Sequence, residues 1–303
     1  MRAAVTGSSG FVGSHLVPYL RSHGDDVVTI DRTGTSPVDV TDAAEVRQVL
    51  RSARPDAVYH LAALSHVGRS WDAPEAVFRI NAVGALNVLR ACIDAGVERV
   101  LVAGSADVYG AVGPEDLPLT EESPIRPVTP YGASKAAADV LALQTYLGDG
   151  LGTLRVRAFN HTGPGQGVSM LVPGLAQRIA DAERTGGSKI KVGHLDVVRD
   201  LSDVRDVVRA YRLLVELGTP GEAYNVCSGR GVSVQEVADA MLAMSDAPLE
   251  LVVDPELVRT VDVPMLVGSP ARLCAATGWE PVIPLDETLR DVLASARARV
   301  ADA

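Results

Sequence analysis

The chain has 303 residues with 28 basic and 38 acidic side chains, a formal charge of −10, and 47% apolar against 22% charged residues, which leaves room for about two domains, or one large one, around an ordinary core. The acidic balance argues against nucleic acid as the main partner, because a phosphate backbone needs a basic face. No apolar run approaches the roughly 18–20 residues of a membrane span, the opening MRAAVTGSSG has no apolar signal core, and Cys92, Cys227 and Cys274 are too widely spaced for a disulfide framework or a metal cluster, so the expectation is a cytoplasmic enzyme without membrane or metal.

The first half alternates short strands with longer helices. Residues 3–5 form a strand that runs into TGSSGFVG, and 11–23 a helix in which Pro18 bends or tightens a turn. A second strand spans 27–30 and ends at Asp31, followed by a helix over 42–53 and a third strand over 57–61. A long helix covers 75–95 and closes at Gly96; a strand at 100–103, a helix at 130–147 and a strand at 153–158 follow. Strands and helices in this rhythm make βαβ units, hence a parallel sheet covered on both faces. Beyond Asn160 the rhythm loosens. Helices are expected at 171–184, 203–217, 234–244 and 286–298, and short strands at 189–192 and 224–226, with a Pro-rich stretch at 254–284. The predicted class is α/β: a doubly wound dinucleotide-binding domain from 1–160 plus about 200–227, and a smaller, irregular substrate lobe from about 161–199 plus 228–303.

TGSSGFVG sets Gly7, Gly10 and Gly13 between a strand and a helix. Gly7 allows the tight turn, Gly10 lets the backbone approach a pyrophosphate, and Gly13 lets helix and strand pack closely, while the helix start offers amides and a positive dipole end. Ser9, Phe11 and Val12 complete the cofactor-contacting loop. Asp31 lies 18 residues beyond Gly13. An acid there accepts from the adenosine ribose hydroxyls and favours NAD(H), whereas Arg32 can attract the extra phosphate of NADP(H), so both cofactors stay open. Asp39, with Val40 beside it, is placed for the adenine amino group or, as a plainer reading, for a turn.

YGASK puts Tyr131 and Lys135 one turn apart on one helix face. A phenol with pKa near 10 must fall by about 3 units to work as an acid–base at neutrality, and a neighbouring ammonium together with the cofactor's cationic ring supplies that bias. Of the 28 basic residues only Lys135, Lys189 and Lys191 are lysines. The survival of Lys135 in so Arg-rich a chain points to a task for a compact ammonium, such as holding the nicotinamide ribose. Lys189 and Lys191 read as a solvated strand edge. Ser105, in GSADVYG, ends a strand where such sheets face the ligand crevice, and its hydroxyl can bind a carbonyl oxygen.

The strings TGxxGxxG, HLAA, GSADVYG and YxxxK resemble the extended short-chain dehydrogenase/reductase family of nucleotide-sugar enzymes, and RAFNHTGPGQ, VVRDLSDVRDVVRAY, YNVCSGRGVS and RTVDVPMLVGSPARL are similar to its GDP-4-keto-6-deoxy-D-mannose reductases. The resemblance implies a seven-stranded dinucleotide domain, a lobe for a nucleoside-diphosphate sugar, and a homodimer through a four-helix bundle built by the helices near 75–95 and 130–147. It matches Ser105, Tyr131 and Lys135 to a catalytic triad, and Leu61, Ala62 and Ala63 to a segment lining the cofactor. It matches Ser65 and Val67 to a loop near sugar and phosphates, Asn160 to a substrate-binding asparagine, and Arg199 and Arg259 to arginines gripping the diphosphate. His60, His66 and Asn81 read as scaffold near the site.

Departures narrow the reaction. Where family dehydratases carry an acidic pair, this chain has Ala106 and Asp107. Ala106 moves no proton, so elimination across C5–C6 and 3,5-epimerisation are both disfavoured, and Asp107 is left as an acidic contact to a sugar hydroxyl or a structural group. The expectation is NAD(P)H-dependent reduction of the C4 ketone of a nucleoside-diphosphate 4-keto-6-deoxyhexose, GDP-linked by preference and dTDP-linked as an option. The alternatives are a 4-epimerase with tightly held NAD and a non-catalytic nucleotide-binding protein on the same fold.

Overall fold

The computed structural model describes residues 1–34, 36–257 and 263–301. Its first half runs β1 (Arg2–Thr6), α1 (Phe11–Ser22), β2 (Asp26–Ile30), α2 (Ala43–Ala53), β3 (Ala57–His60), α3 (Pro74–Phe78), α4 (Gly84–Ala95), β4 (Arg99–Ala103), α5 (Pro130–Asp149) and β5 (Gly152–Ala158). The second half runs β6 (Asn160–Thr162), α6 (Leu171–Thr185), β7 (Lys189–Val192), β8 (Val198–Asp203), α7 (Val204–Leu217), β9 (Ala223–Val226), β10 (Gly231–Ser233), α8 (Val234–Leu242), β11 (Glu250–Val253), β12 (Met265–Leu266), α9 (Ala271–Thr277) and α10 (Leu285–Ala301).

Six strands form one parallel sheet in the order β2-β1-β3-β4-β5-β9. The chain turns to opposite sides after β1, so the C-terminal ends of β1 and β3 flank a crevice open to a ligand. Leu16 and Leu20 of α1 and Val207, Tyr211 and Leu214 of α7 cover one face, together with Trp279. Leu50 of α2, Val88, Leu89 and Cys92 of α4, and Ala142 of α5 cover the other. The near-continuous apolar strands follow from burial on both faces.

The resemblance implied a seventh strand, and the sheet has six among the described residues. The segment after β2 folds back instead. The Val38 amide donates to the Asp31 carbonyl at 2.7 Å, and the Thr41 amide donates to Asp39 Oδ1 at 2.8 Å, which turns the chain into α2. The helix expected over 75–95 is likewise modified: Arg79–Val83 forms a π turn between α3 and α4. Taken through that turn, Pro74–Ala95 is 22 residues, long and apolar enough to cross a membrane, and half of its most apolar stretch is buried inside the protein. The sequence reading passed over it because Glu75, Arg79, Arg90 and Asp94 interrupt the apolar run. It packs against α2, α5, β3 and β4, as a core helix does.

The remaining elements build a second core from Val172, Leu175 and Ile179 of α6, Ile190, Met241, and Leu289 and Leu293 of α10. β8 is central to it, pairing with β6, β10 and β12. Neither β8 nor β10, β11, β12 and α9 was expected, since they are two to seven residues long and β8 carries polar residues on both faces. Asp200 of β8 is fully buried and accepts from Ser228 N (2.7 Å), Ser228 Oγ (2.6 Å), Gly229 N (2.9 Å) and Gly268 N (3.3 Å). Burial still pushes its carboxyl above the ordinary range. Lys189 and Lys191 lie on a solvated edge, 3.9 Å from Glu250 and 2.9 Å from Asp254.

Candidate active site

The glycine loop between β1 and α1 is built as its spacing requires. Gly7 has φ +68°, and a Cβ there would sit 2.8 Å from the Ala62 Cα. A Cβ on Gly13 would run into the carbonyl oxygens of Gly7 and Ser8. Both positions therefore need glycine to bring loop, helix and the segment after β3 together. Gly10 caps α1 without a side-chain bond, and no acidic residue sits in the first turn, which leaves a positive helix end facing the crevice.

A cavity of about 200 Å³ opens beside this loop, lined by Gly7, Ser9, Gly10, Asp31, Arg32, Asp39, Val40, Ala62 and Ala63, with Val38, Leu64 and Ile80 joining from neighbouring segments. Most of the expected cofactor residues thus share one wall. Phe11, Val12, Gly13 and Leu61 lie behind it: Val12 and Leu61 pack on the core under the sheet, and the Phe11 ring stacks on His161 at 6.1 Å. Asp31 Oδ2 accepts from the Ser9 amide at 2.8 Å. Burial opposes its charge, but the amides of Ser9, Arg32 and Thr33 and the Ser9 hydroxyl outweigh it and hold Asp31 below the usual carboxylate range. The Thr41 contacts do the same for Asp39, so the turn reading and the cavity wall coexist there.

Ser105, Tyr131 and Lys135 come together at the C-terminal end of β4, and all are buried, at 6%, 8% and 6% exposure. Thr129 caps α5 by accepting from the Gly132 amide at 3.0 Å, and Pro130 starts it. A Cβ on Gly132 would lie 2.6 Å from the Asp107 carbonyl. Glycine in YGASK is what lets α5 press against the 3-10 turn Ala106–Val108 that Ser105 caps. Ser105 Oγ donates to Asp107 Oδ2 at 2.9 Å and accepts from the Asp107 amide at 3.2 Å. The Tyr131 hydroxyl lies close enough to Ser105 for that side chain to favour its ionised form.

The electrostatics refine one expectation. Tyr131 is not lowered by the protein's own groups: burial, then the Asp107 charge, push its hydroxyl up, and only Ser105 pulls it down. Lys135 donates to the Ala103 carbonyl at 2.7 Å, and burial pushes it down to about 8. His60, bonded through Nδ1 to Thr6 Oγ1 at 2.8 Å, is pushed down to about 3 by burial and by the Lys135 charge. It stays neutral, as a scaffold reading requires. Asn81, in the π turn, clasps Leu64 through both backbone groups (2.8 and 3.1 Å) and donates to Ser134 Oγ at 2.9 Å. It ties the loop after β3 to α5.

The expected substrate residues are less gathered. Ser65 is exposed and Val67 half-buried; the Val67 carbonyl takes the Ser70 hydroxyl at 2.6 Å. His66 Nδ1 accepts from the Arg69 amide at 3.2 Å. Asn160 is exposed on β6, paired with Leu201. Arg199 is half-buried on β8 and donates to the Val198 carbonyl at 2.9 Å. Ala106, 1% exposed, packs with Tyr109, Leu119, Phe159 and Cys227, so it offers a ligand almost no surface. Arg259 lies outside the described residues. Reading the sequence alone missed Thr6, Gly132 and Ser134. The last two stand inside YGASK, where a helix face pressed on a loop calls for small residues.

The description of the family model that matches residues 3–227 is the NAD dependent epimerase/dehydratase family. A GDP-6-deoxy-D-mannose reductase of Pseudomonas aeruginosa is 36% identical over 99% of this chain and 98% of its own. A solved structure described as RMD from Pseudomonas aeruginosa complexed with NADPH superposes with a TM-score of 0.90 at 35% identity, covering 99% of this chain and 100% of that one. A Thermus thermophilus UDP-glucose 4-epimerase in complex with NAD gives 0.88 at 32% identity, over 98% and 99%. With the glycine loop, the parallel sheet and the Ser–Tyr–Lys constellation all in place, the chain belongs to the NAD dependent epimerase/dehydratase family.

Proposed function

We propose that the protein uses NAD(P)H to reduce the C4 ketone of a nucleoside-diphosphate 4-keto-6-deoxyhexose, with the GDP-linked sugar as the favoured substrate. The observation that carries this reading is Tyr131 buried beside Ser105, one helical turn from Lys135, at the end of β4 near the glycine-loop cavity. The name of the Pseudomonas aeruginosa reductase, alike over nearly its whole length, supports the substrate class. When bound, the cofactor supplies the hydride. Tyr131, kept as a phenol by burial and by Asp107, gives its proton to the oxygen as the C4 carbonyl becomes an alcohol, and later regains one from water. Ser105 holds the same oxygen, and Lys135 provides a compact cation beneath it. Ala106 has no proton to move, which supports plain reduction over elimination or 3,5-epimerisation.

The dinucleotide-binding part is proposed as residues 1–160 with about 200–227, and the sugar-nucleotide lobe as the remainder, holding Asn160, Arg199 and Arg259 toward the diphosphate. Ser65 and Val67 border the sugar. Asp31, held ionised at the cavity wall, supports NADH, while Arg32 beside it leaves NADPH usable. A 4-epimerase is the second reading, supported by the likeness to the Thermus thermophilus enzyme. A ketone entering the site meets a phenol, as here, whereas an alcohol entering first, as in epimerisation, requires a phenolate.

The test follows cofactor absorbance with GDP- and dTDP-linked 4-keto-6-deoxy sugars. The expected result is NAD(P)H oxidation, faster with the GDP form, and loss of about 10³-fold or more in Tyr131→Phe with cofactor affinity kept. Interconversion of UDP-hexoses without added cofactor, and no NAD(P)H oxidation, would select the epimerase.

A further inference from the structure

Arg199 and Asn160 are read as gripping the sugar nucleotide, and both depend on β8: Arg199 is part of it, and Asn160 sits on β6, paired with Leu201. Asp200 lies between Arg199 and Leu201 in sequence and has no exposed surface. Its two oxygens meet four donors. Oδ1 takes the Ser228 amide at 2.7 Å and the Ser228 hydroxyl at 2.6 Å, and Oδ2 takes the amides of Gly229 at 2.9 Å and Gly268 at 3.3 Å. An asparagine has one carbonyl oxygen, and its NH2 would face amides that can only donate, so the site calls for a carboxylate. A buried carboxylate is costly unless its oxygens are filled in this way.

The donors come from two segments that belong elsewhere. Ser228 and Gly229 follow β9, the edge strand of the parallel sheet. Gly268 lies between β12 and α9, where a Cβ would run into the Phe159 ring and lie 2.9 Å from Cys227 Sγ. Leu119 holds the same segment: its amide donates to the Val267 carbonyl at 2.9 Å, and its carbonyl accepts from the Ser269 amide at 2.8 Å and from Asn225 Nδ2 of β9 at 3.0 Å. Leu119 in turn packs with Ala106, in the turn that Ser105 caps. One carboxylate thus joins β8 to the end of β9 and, through residues 267–269, to the loop that follows Ser105.

We propose that Asp200 is a positioning residue whose carboxylate sets β8, and with it Arg199 and Asn160, in place against the strand end and loop that carry Ser105, so that a nucleoside-diphosphate sugar held on β8 presents its C4 oxygen to Ser105 and Tyr131. The ligand and its reaction rest on the ketoreductase reading; the linkage does not. None of the residues lining the glycine-loop cavity takes part in these contacts. Loss of the carboxylate therefore weakens the hold on the sugar nucleotide and leaves the hold on the cofactor as it was.

The test compares wild type with Asp200→Asn, Asp200→Ser and Ser228→Ala. Ser228→Ala removes one of the four contacts and carries the test should the Asp200 variants fail to fold by circular dichroism. GDP binding is measured by calorimetry, NADH and NADPH binding by fluorescence, and kcat and KM with the keto-sugar. Amide exchange is followed by mass spectrometry in residues 117–120, 228–230 and 267–269. Asp200→Asn is expected to raise the GDP Kd and the keto-sugar KM about tenfold or more, with cofactor Kd changed by less than about twofold, and Ser228→Ala to move the same way by less. The three segments should exchange faster together while β1 and β4 keep wild-type rates; a role confined to stability would speed all of them. GDP affinity and KM that stay at wild-type values in the folded variants, or cofactor affinity that falls in parallel, overturns the proposal. A wild type that binds neither GDP nor dTDP overturns the substrate reading, and the exchange then decides the linkage: joint acceleration upholds it and independent rates overturn it.

Discussion

Lys135 carries a cost that its chemistry explains. Burial lowers it from 10.5 to about 8, so between those values the unfolded lysine binds more protons than the folded one. Stability therefore rises with pH through that window, by about 3 kcal/mol at most. The urea midpoint of wild type minus that of Lys135→Met should climb from pH 8 toward 10.5; a flat difference would rule out the depressed lysine. At this scale the sequence was informative about identity and silent about state. Tyr131 and Lys135 stand four apart, and helix geometry alone puts them on one face. In the protein's own groups the direction of the Tyr131 shift depends on burial and on Asp107, neither of which a local spacing reports. Asp107 itself is legible only once its carboxylate is seen on Ser105.

Among elements, α5 is held by a buried ionic network. Asp139, one turn beyond Lys135, accepts from Arg155 Nη1 at 2.6 Å and Arg157 Nε at 2.9 Å. Arg157 goes on to Tyr109 Oη at 3.1 Å, and Tyr109 donates to Asn225 Oδ1 at 2.7 Å. The network ties the helix bearing Tyr131 to the turn bearing Asp107 and to the sheet edge at β9. Asp139→Ala leaves two guanidinium groups without their carboxylate in a closed space, and should cost about 3–5 kcal/mol in denaturant unfolding. The pair Asp139→Leu with Arg157→Met should regain much of that loss, since apolar replacement of a buried ion pair is often near neutral. A single variant as stable as wild type would show that the network holds nothing. The strands and helices up to β5 could be read from alternation, because β1, β3 and β4 are mostly buried apolar runs and α2, α4 and α5 start or end on a cap or a glycine. The π turn could not, as it is set by what Asn81 reaches, namely Leu64 and Ser134.

For the whole molecule, the outer face of α5 is apolar and uncovered. Val140 and Leu147 are 55% and 73% exposed, and with Leu143 they form a stripe at helical spacing around a shallow hollow. We propose this stripe, beside α4, as the seat of a second copy of the chain in a four-helix homodimer. Leu147→Arg should convert a dimer to a monomer in analytical ultracentrifugation; a wild type that sediments as a monomer at micromolar concentration refutes the assembly. The sequence anticipated a looser second half but not which strands pair there. Short pieces such as β10 and β12 are strands only because β8 lies between them, and no local pattern in GVS or ML requires that.

The sharing of β9 has a consequence for how the protein is made. β5 leaves the parallel sheet at Ala158, and its neighbour arrives only at Ala223, after α6, β7, β8 and α7 have been threaded elsewhere. During synthesis the backbone of β5 therefore waits as an open flank while more than sixty further residues emerge. An interrupted chain ending in that interval would carry a sticky margin with unpaired amides and carbonyls, so completion of the parallel sheet is a late event on the ribosome, contingent on α6 through α7 having already emerged.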